Sequence, residues 1–528
     1  MANRAQPIRP IHFIAGGGAF ALLLVLTFGT VIAVWTRAEL GSGLSSSDWA
    51  AVRFTLSQAF VSASVSVILA IPVARALARR KFRGRTLMVS FLGAPFILPA
   101  IVAVLGIVAV WGRSGWISQA IEPFGFSPLN IYGYFGVVFA HVFFNLPLAT
   151  RLLLQGWLSI PAEHFRLCAQ LDMSPSEISK HLERPMLWSV LPGAFLLVFL
   201  LCISSFAVVL ALGGGPRATT VELAIYQALR FDFDLSKAAM LAVVQFGLCT
   251  SVALASIFIA KPTNFAFGLD RPPERWDGKG AFHVICDCLS LVMLTLFLFL
   301  PLLALFIRGL IPIAHLPIKI YAAALNSVVI AVGSAMLAIV MSLALAALII
   351  RIARRRKRVS QIVEGLGFLT LAASPFVIGT GLFIIINPYV SPFAVALPVT
   401  ALINAAMSLP FALRIILPAM TRAEDHYGTL GDSLGMERWT RFRIAIWPRL
   451  KRPIGFAAGL SAALSMGDLG VIALFAPPDI ETLPLMMYRL MAAYQLKMAS
   501  GVALLLISLS LILFWLFDRG GQLEHHTR

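Results

Sequence analysis

Arg166-Leu-Cys-Ala-Gln-Leu-Asp172-Met-Ser-Pro-Ser-Glu-Ile-Ser-Lys-His-Leu-Glu-Arg-Pro185 is a polar stretch set between two long apolar runs. One such stretch is ordinary in a membrane protein, but this one occurs twice. Pro147, Arg151, Asp172 and Pro185 have counterparts 263 positions further on in Pro410, Arg414, Gly435 and Pro448, with no gap among the four matches. Each copy reads as helix, tight turn, helix. Ser174-Pro-Ser-Glu177 has the pattern of a capping box with proline at the first helical position, so it opens the second helix of the first copy. Thr421-Arg-Ala-Glu424 has a capping-box pattern too, and is expected to open the first helix of the second copy. The residue between the helices is Asp172 in one copy and Gly435 in the other. Glycine suits a left-handed residue after a helix end, and aspartate is among the few substitutes that tolerate it.

A short helix, a glycine and a proline thirteen residues later, in a loop between hydrophobic spans, resembles the coupling loop of permease subunits of binding-protein-dependent ABC importers. Two copies in one chain resemble the fused permeases of the thiamine and ferric-iron branches. The Glu-Ala-Ala that opens the family's loop is not kept: Arg166-Leu-Cys168 and Thr429-Leu-Gly431 stand there. The resemblance implies that Arg166, Cys168, Ala169, Asp172 and Pro185 of one loop, and Thr429, Gly431, Gly435 and Pro448 of the other, form the ATPase-coupling elements.

At 528 residues, with 59% hydrophobic and 12% charged side chains, the chain is too apolar for a soluble enzyme, whose charged share is about 25%. It reads as an all-α polytopic membrane protein. The formal charge of +18 does not point to nucleic acid, because the basic residues sit in short loops rather than on one soluble face. Five cysteines (Cys168, Cys202, Cys249, Cys286 and Cys288) lie in or beside apolar runs and do not suggest a disulfide framework. Cys286-Asp-Cys288 lacks a second Cys/His pair for a metal, and no metal or other cofactor is called for. The first apolar run, Phe13 to Trp35, is long enough to span and carries no clear cleavage site.

Apolar runs of roughly twenty residues give twelve spans, six in each half. The first half is residues 1–260, a cytoplasmic linker is 261–280, and the second half is 281–528. Alternate loops, beginning with the N-terminus, hold 32 of the 42 Lys and Arg residues. By the positive-inside rule those loops and both termini are cytoplasmic. The clusters around Arg79–Arg85 and Arg351–Arg358 read as stop signals at the inner face. The third and ninth spans share Pro95-Phe96 and Pro375-Phe376, each followed by a helix-weakening pair, as expected where helices pack closely or line a cavity.

Four polar residues inside spans are candidates for the substrate pathway. His141 and Asn145 belong to the fourth span and Asn404 to the tenth, and such side chains also serve as links between helices. Asp468, in the eleventh span, is the only carboxylate placed well within the membrane, where it should face a polar path or cap a helix. No phosphate-binding Gly-x-x-x-x-Gly-Lys-Ser/Thr pattern and no nucleophile-base set occurs, so the chain is not an enzyme by itself.

The segments Leu212–Leu229 and Gly467–Phe475 are more similar to the thiamine permeases than to the ferric-iron ones. The resemblance implies a type I importer permease in the bacterial inner membrane that moves thiamine or its phosphate esters by alternating access. It implies as partners two copies of an ATPase subunit, one periplasmic substrate-binding protein, the small-molecule substrate and membrane lipid. Ferric-iron import is the rival within the family. An ion-coupled secondary transporter is the rival outside it, although Asp468 and His141 are few ionisable groups for ion coupling.

Overall fold

Small side chains decide how these helices pack. Between lipid tails a large apolar residue gains little by turning inward, whereas Gly, Ala and Ser let two backbones approach closely. Along Ser46–Arg79 the buried face carries Ala59, Ser62, Ala63, Ser66, Ala70 and Ala74 at three- and four-residue steps, while Phe60, Ile68 and Leu69 are exposed. Ile318–Ala353 repeats the pattern: Ala324, Ser327, Ala331, Ser334, Ala335 and Ala338 are buried, and Leu325, Val329, Met336 and Val340 are exposed.

The computed structural model describes residues 11–38, 43–93, 98–213, 215, 218–259, 275, 278, 280–368, 370, 373–477 and 479–522. These are helices and connections, with no strand among the described residues. In the first part of the chain they are α1 (Ile11–Leu24), α2 (Thr30–Arg37), α3 (Ser46–Arg79), α4 (Arg85–Phe91), α5 (Ala100–Trp111), α6 (Trp116–Ile121) and α7 (Tyr134–Leu158). There follow α8 (Ala162–Gln170), α9 (Pro175–Ile178), α10 (Arg184–Ile203), α11 (Ala207–Leu212), α12 (Val221–Arg230) and α13 (Leu235–Ile259). The rest comprises α14 (Ala281–Gly309), α15 (Ile318–Ala353), α16 (Lys357–Phe368), α17 (Pro375–Ile386), α18 (Ala396–Ser433) and α19 (Arg438–Arg441). The last four are α20 (Trp447–Met466), α21 (Gly470–Phe475), α22 (Leu483–Ala492) and α23 (Leu496–Gln522).

Ten helical stretches among the described residues are long and apolar enough to cross a membrane. The expected ninth span is the twelve-residue α17, about 18 Å long against a hydrocarbon core of about 30 Å. The expected eleventh is α20, whose first turns carry Arg449, Lys451 and Arg452. Pro95 and Phe96 lie outside the described residues, as does all of the 261–280 linker except Arg275, Gly278 and Gly280.

The contacts gather into two compact units that cut across the order of the sequence. One unit comprises Ser42–Ala224 and Gly247–Pro312. In it α3 lies along α7 and α10, and α5 packs on α14, where a Cβ on Gly106 would stand 2.9 Å from the Pro301 carbonyl oxygen. The basic cluster at the foot of α3 takes part in packing: Arg80 Nε lies 2.7 Å from the Asp287 carboxylate near the start of α14.

The other unit comprises Met1–Gly41, Ile225–Phe246 and Ile313–Arg528. Here α15 packs against α18, α20 and α1, and Leu409, Ala412, Leu413 and Ile416 of α18 meet Leu345 and Ile349 of α15 in its core. The span nearest the N-terminus reaches α17 through α2. At that crossing a Cβ on Gly381 would fall 2.4 Å from the Thr30 carbonyl oxygen. Gly381→Leu should therefore force α2 away from α17 and lower the melting midpoint of the detergent-solubilised protein by the equivalent of about 1 to 3 kcal/mol. Gly18→Leu, at a position with open space around it, should leave the midpoint unchanged. Equal midpoints for the two variants would refute this account of the crossing.

Candidate functional site

The first repeated loop begins where Pro161 ends α7's continuation. Residues before a proline avoid the helical region, and the chain breaks at Ser159–Pro161 before restarting as α8. Ala162, Phe165 and Cys168 are buried, while Arg166, Leu167, Ala169, Gln170 and Leu171 face outward. Burial pushes the Cys168 thiol above its ordinary range.

The helix then closes in a Schellman motif: Met173 N–H donates to the Cys168 carbonyl at 3.0 Å, and Asp172 is left-handed at φ 51°. Ser174 caps α9 as the pattern predicts. Glu177 N–H donates to its hydroxyl at 3.4 Å, and Ser174 N–H donates to the Glu177 carboxylate at 2.7 Å. Hydrogen bonds from the Ser174 hydroxyl and then its backbone hold the Glu177 carboxyl below its usual range.

The second loop closes on the same geometry 263 positions later, with Met436 N–H donating to the Gly431 carbonyl at 2.9 Å and Gly435 at φ 62°. Its entry differs from expectation. Thr421-Arg-Ala-Glu424 does not open a helix, because α18 runs unbroken through it to Ser433 and the Thr421 hydroxyl donates back to the Leu417 carbonyl at 2.9 Å. The physical reason lies at position 424, where Glu stands in the place of Pro161 and the backbone keeps its donor. Thr429 lies on this helix, and the buried Gly431 leaves the space that the side chain of Arg441 fills.

Both loops return to their spans through a π-helical turn at equivalent positions, Ser179–Glu183 and Phe442–Ile446, and Pro185 and Pro448 each lie in the first turn of the helix that follows. The helix runs on without a break at both places, and proline, which has no N–H to donate, follows directly on a turn where the i to i−4 ladder is already interrupted. The tethers differ. Glu424 is bridged by the exposed Arg354 at 2.9 Å and lies 3.8 Å from the Arg441 guanidinium, which also donates to the Gly428 carbonyl at 3.4 Å, so this tether joins the two arms of the second loop without any linker residue.

Sequence reasoning passed over four residues in these loops. Leu167 and Leu171 are 54% and 64% exposed, and their repeat counterparts Leu430 and Leu434 are 52% and 64% exposed. Each pair is one helical turn apart and so shares a face. The 263-residue shift already contained this signal.

The candidates within the apolar helices fall into two clusters, one in each compact unit. In the first, His141 Nδ1 is 2.8 Å from Gln58 Oε1, Gln58 Nε2 donates to the Cys202 carbonyl at 3.0 Å, and Asn145 donates to the His141 carbonyl at 2.9 Å and to Cys202 Sγ at 3.3 Å. His141 and Asn145 are thus joined by α3 and α10, which the sequence did not reveal.

In the second cluster, Asn404 Nδ2 donates to Ser465 Oγ at 3.0 Å. The repeat shift carries His141 onto Asn404 and Cys202 onto Ser465, so the same crossing is used twice with different side chains. It also carries Ser205 onto Asp468. Asp468 Oδ1 accepts from Gly470 N–H at 3.1 Å and Val471 N–H at 3.3 Å, capping α21. Its Oδ2 is buried beside a small cavity whose polar lining is Ser327, Thr400, Ser465 and Thr482 and whose apolar lining includes Ile330 and Met466, and the Asn404 side chain also interacts with the carboxylate. Cap and polar lining are therefore combined in one carboxylate.

Near both clusters the re-entering chain is fixed in the same way. Val221 N–H donates to Thr55 Oγ1 at 3.0 Å and Leu483 N–H to Ser327 Oγ at 2.8 Å. Among the described residues no group of three His, Cys, Asp or Glu side chains could hold a metal.

Ten apolar helical stretches, two repeated helix-turn-helix loops and polar helix crossings duplicated in two units define a multi-pass membrane permease. The chain belongs to the family of thiamine transport system permeases. It is 38% identical over 517 residues to the thiamine transport system permease protein ThiP of Brucella abortus (strain 2308), covering 96% of this chain and 95% of that protein. The likeness to the protein of that name from Escherichia coli (strain K12) is 37% over 535 residues and 98% of both chains. With that of Haemophilus influenzae it is 33% over 521 residues and 96% of both. No family model matches the sequence.

The two turns make a prediction about backbone alone. Gly435→Val places a β-branched residue in the left-handed region at a cost of roughly 1 to 2 kcal/mol, so the Met436 amide should exchange its hydrogen correspondingly faster. Asp172→Gly should keep or increase protection of the Met173 amide. Unchanged exchange at Met436 in Gly435→Val would show that the turn does not constrain the loop.

Proposed function

We propose that this chain is the membrane-spanning subunit of an ATP-driven importer that carries thiamine or its phosphate esters from a periplasmic binding protein to the cytoplasm. Residues 1–260 and 281–528 are its two homologous halves, joined by 261–280. It lies in the bacterial inner membrane with both termini cytoplasmic, and two copies of a separate ATPase subunit hydrolyse the nucleotide. ATP can drive the cycle only as far as it binds one arrangement of the subunit more tightly than the other. The observation that carries this reading is the paired exposed leucines on two identical Schellman-closed helices, in a chain matched over its length by permeases of thiamine transport systems. Large apolar residues exposed on a polar loop, twice over, suit a groove on each of two identical partners.

The docking assignment is tested by Leu167→Asp/Leu171→Asp and Leu430→Asp/Leu434→Asp. Each double variant should insert and fold normally, because the leucines touch little of the chain, yet lose about 2 kcal/mol or more of ATPase binding, roughly 30-fold. Pull-down of the ATPase at wild-type strength by both variants would end the assignment.

Thiamine carries a permanent positive charge on its thiazolium ring, which gives Asp468 a role on its path. Asparagine can keep the Oδ1 cap and remove only the charge. In cells lacking their own uptake system and supplied with this chain and its partners, Asp468→Asn should lower uptake of labelled thiamine about tenfold or more, a loss of at least roughly 1.4 kcal/mol. Normal uptake would reduce Asp468 to a helix cap, and no uptake by the wild-type system would refute the substrate.

Orientation is tested separately. A cysteine replacing Arg355 in the basic cluster should be labelled by an impermeant reagent only in inverted vesicles. Labelling in intact cells would reverse the topology.

A further inference from the structure

The two coupling helices are attached to the membrane in different ways. The second is the end of α18, an unbroken helix from Ala396 to Ser433, and moves with its span. The first, α8, is cut off from α7 by the break at Ser159–Pro161 and needs another connection.

That connection is present in the same compact unit. Glu183, the last residue of the π-helical turn that leaves the first loop, is 1% exposed. Its carboxylate takes Arg75 Nη2 of α3 at 2.7 Å on one oxygen, and Arg275 Nη2 at 2.9 Å with Trp157 Nε1 at 3.3 Å on the other. Arg275 belongs to the segment that joins the two halves of the sequence. Its guanidinium also stands over the ring of Phe165, 4.2 Å from the centroid, and Phe165 is the buried anchor of α8. One linker residue therefore holds both arms of the first loop, before and after its turn. The repeat shift puts Met420, Gly428 and Ile446 in the places of Trp157, Phe165 and Glu183, so the second loop cannot repeat this arrangement at these positions and is tied instead by its own Arg441 to Glu424 and the Gly428 carbonyl.

We propose that Arg275 is a clamp for the first coupling helix, joining α8 to the exit turn of its loop where the second coupling helix has the continuity of α18. The guanidinium suits this task because one planar group can pair with a carboxylate and stack on an aromatic face at once, which a lysine ammonium does less well. Arg275 is thus a positioning residue acting through α8. The proposal rests on the coupling role given to the loops above, and its test has one readout that needs no ATPase.

A nitroxide label at Gln170, exposed on α8, and a second at Ser433, exposed at the end of α18, report the mobility of each coupling helix in the full-length permease alone. Arg275→Ala should loosen the label at Gln170 and leave that at Ser433 unchanged. Phe165→Leu, which keeps the apolar anchor and removes the stacking face, should loosen Gln170 in the same direction, and Arg275→Lys should fall between wild type and Arg275→Ala. In vesicles with the ATPase and binding protein, Arg275→Ala should lower thiamine carried per ATP roughly fivefold or more while basal hydrolysis persists. Unchanged mobility at Gln170 overturns the clamp, whatever transport does. Increased mobility with an unchanged ratio of thiamine to ATP overturns its part in coupling. Neither result depends on the leucine variants, whose failure to weaken ATPase binding would instead remove the parent reading.

Discussion

A backbone that stops being helical inside an apolar medium must find partners for the groups it frees, since each unsatisfied one costs several kcal/mol. This chain makes that break at the same place in each half, between α10 and α11 and again between α20 and α21. Satisfying the breaks organises much of what surrounds them. Asp468 bonds the N–H groups that open α21, and its own N–H donates to the Ser465 carbonyl at 3.2 Å. When the chain turns back, Thr55 and Ser327 accept the N–H groups that start α12 and α22. The long helices α3 and α15 carry these hydroxyls in stripes of small residues, so the requirement for close packing and the requirement for hydrogen bonds are met by one face of each helix.

On that shared frame the two halves have taken different chemistry. A histidine stands in one crossing and an asparagine in the other, and a serine in one half is matched by the carboxylate of Asp468 in the other. The frame tolerates these exchanges because the bonds that fix it run to backbone groups and hydroxyls elsewhere. The second half thus places a carboxylate beside a small cavity at the position where the first half has only the hydroxyl of Ser205.

The loops show the same division between common geometry and private attachment. Their turns are alike residue by residue in hydrogen bonding and in the sign of φ, because a Schellman closure needs one left-handed position and little else. Their tethers are unlike. A helix passes straight through the entry to one loop, while proline interrupts the other and a buried carboxylate between two arginines takes over. A carboxylate buried between two guanidiniums is the demanding member: removing it leaves both arginines without their partner, a loss of about 3 to 5 kcal/mol, whereas either arginine alone still pairs with it.

The repeat, the number of residues between its landmarks, the left-handed turns and the Ser174–Glu177 cap were legible in the sequence because each is set by neighbours within a few positions. Thr421–Glu424 misled because a Thr-x-x-Glu pattern fits a helix interior as well as a helix start, and only the presence or absence of a breaker such as Pro161 separates the two. His141, Asn145, Asn404 and Asp468 stood out as polar residues in apolar runs, yet their partners did not. Gln58 is 83 positions from His141, Ser465 is 61 from Asn404, and Arg275 is 92 from Glu183. Local pattern fixed which residues had to be satisfied, since a polar group in lipid cannot be left alone. Which distant side chain satisfies each one was decided by how closely the small-residue faces let the helices approach, and that distance exists only in the folded protein.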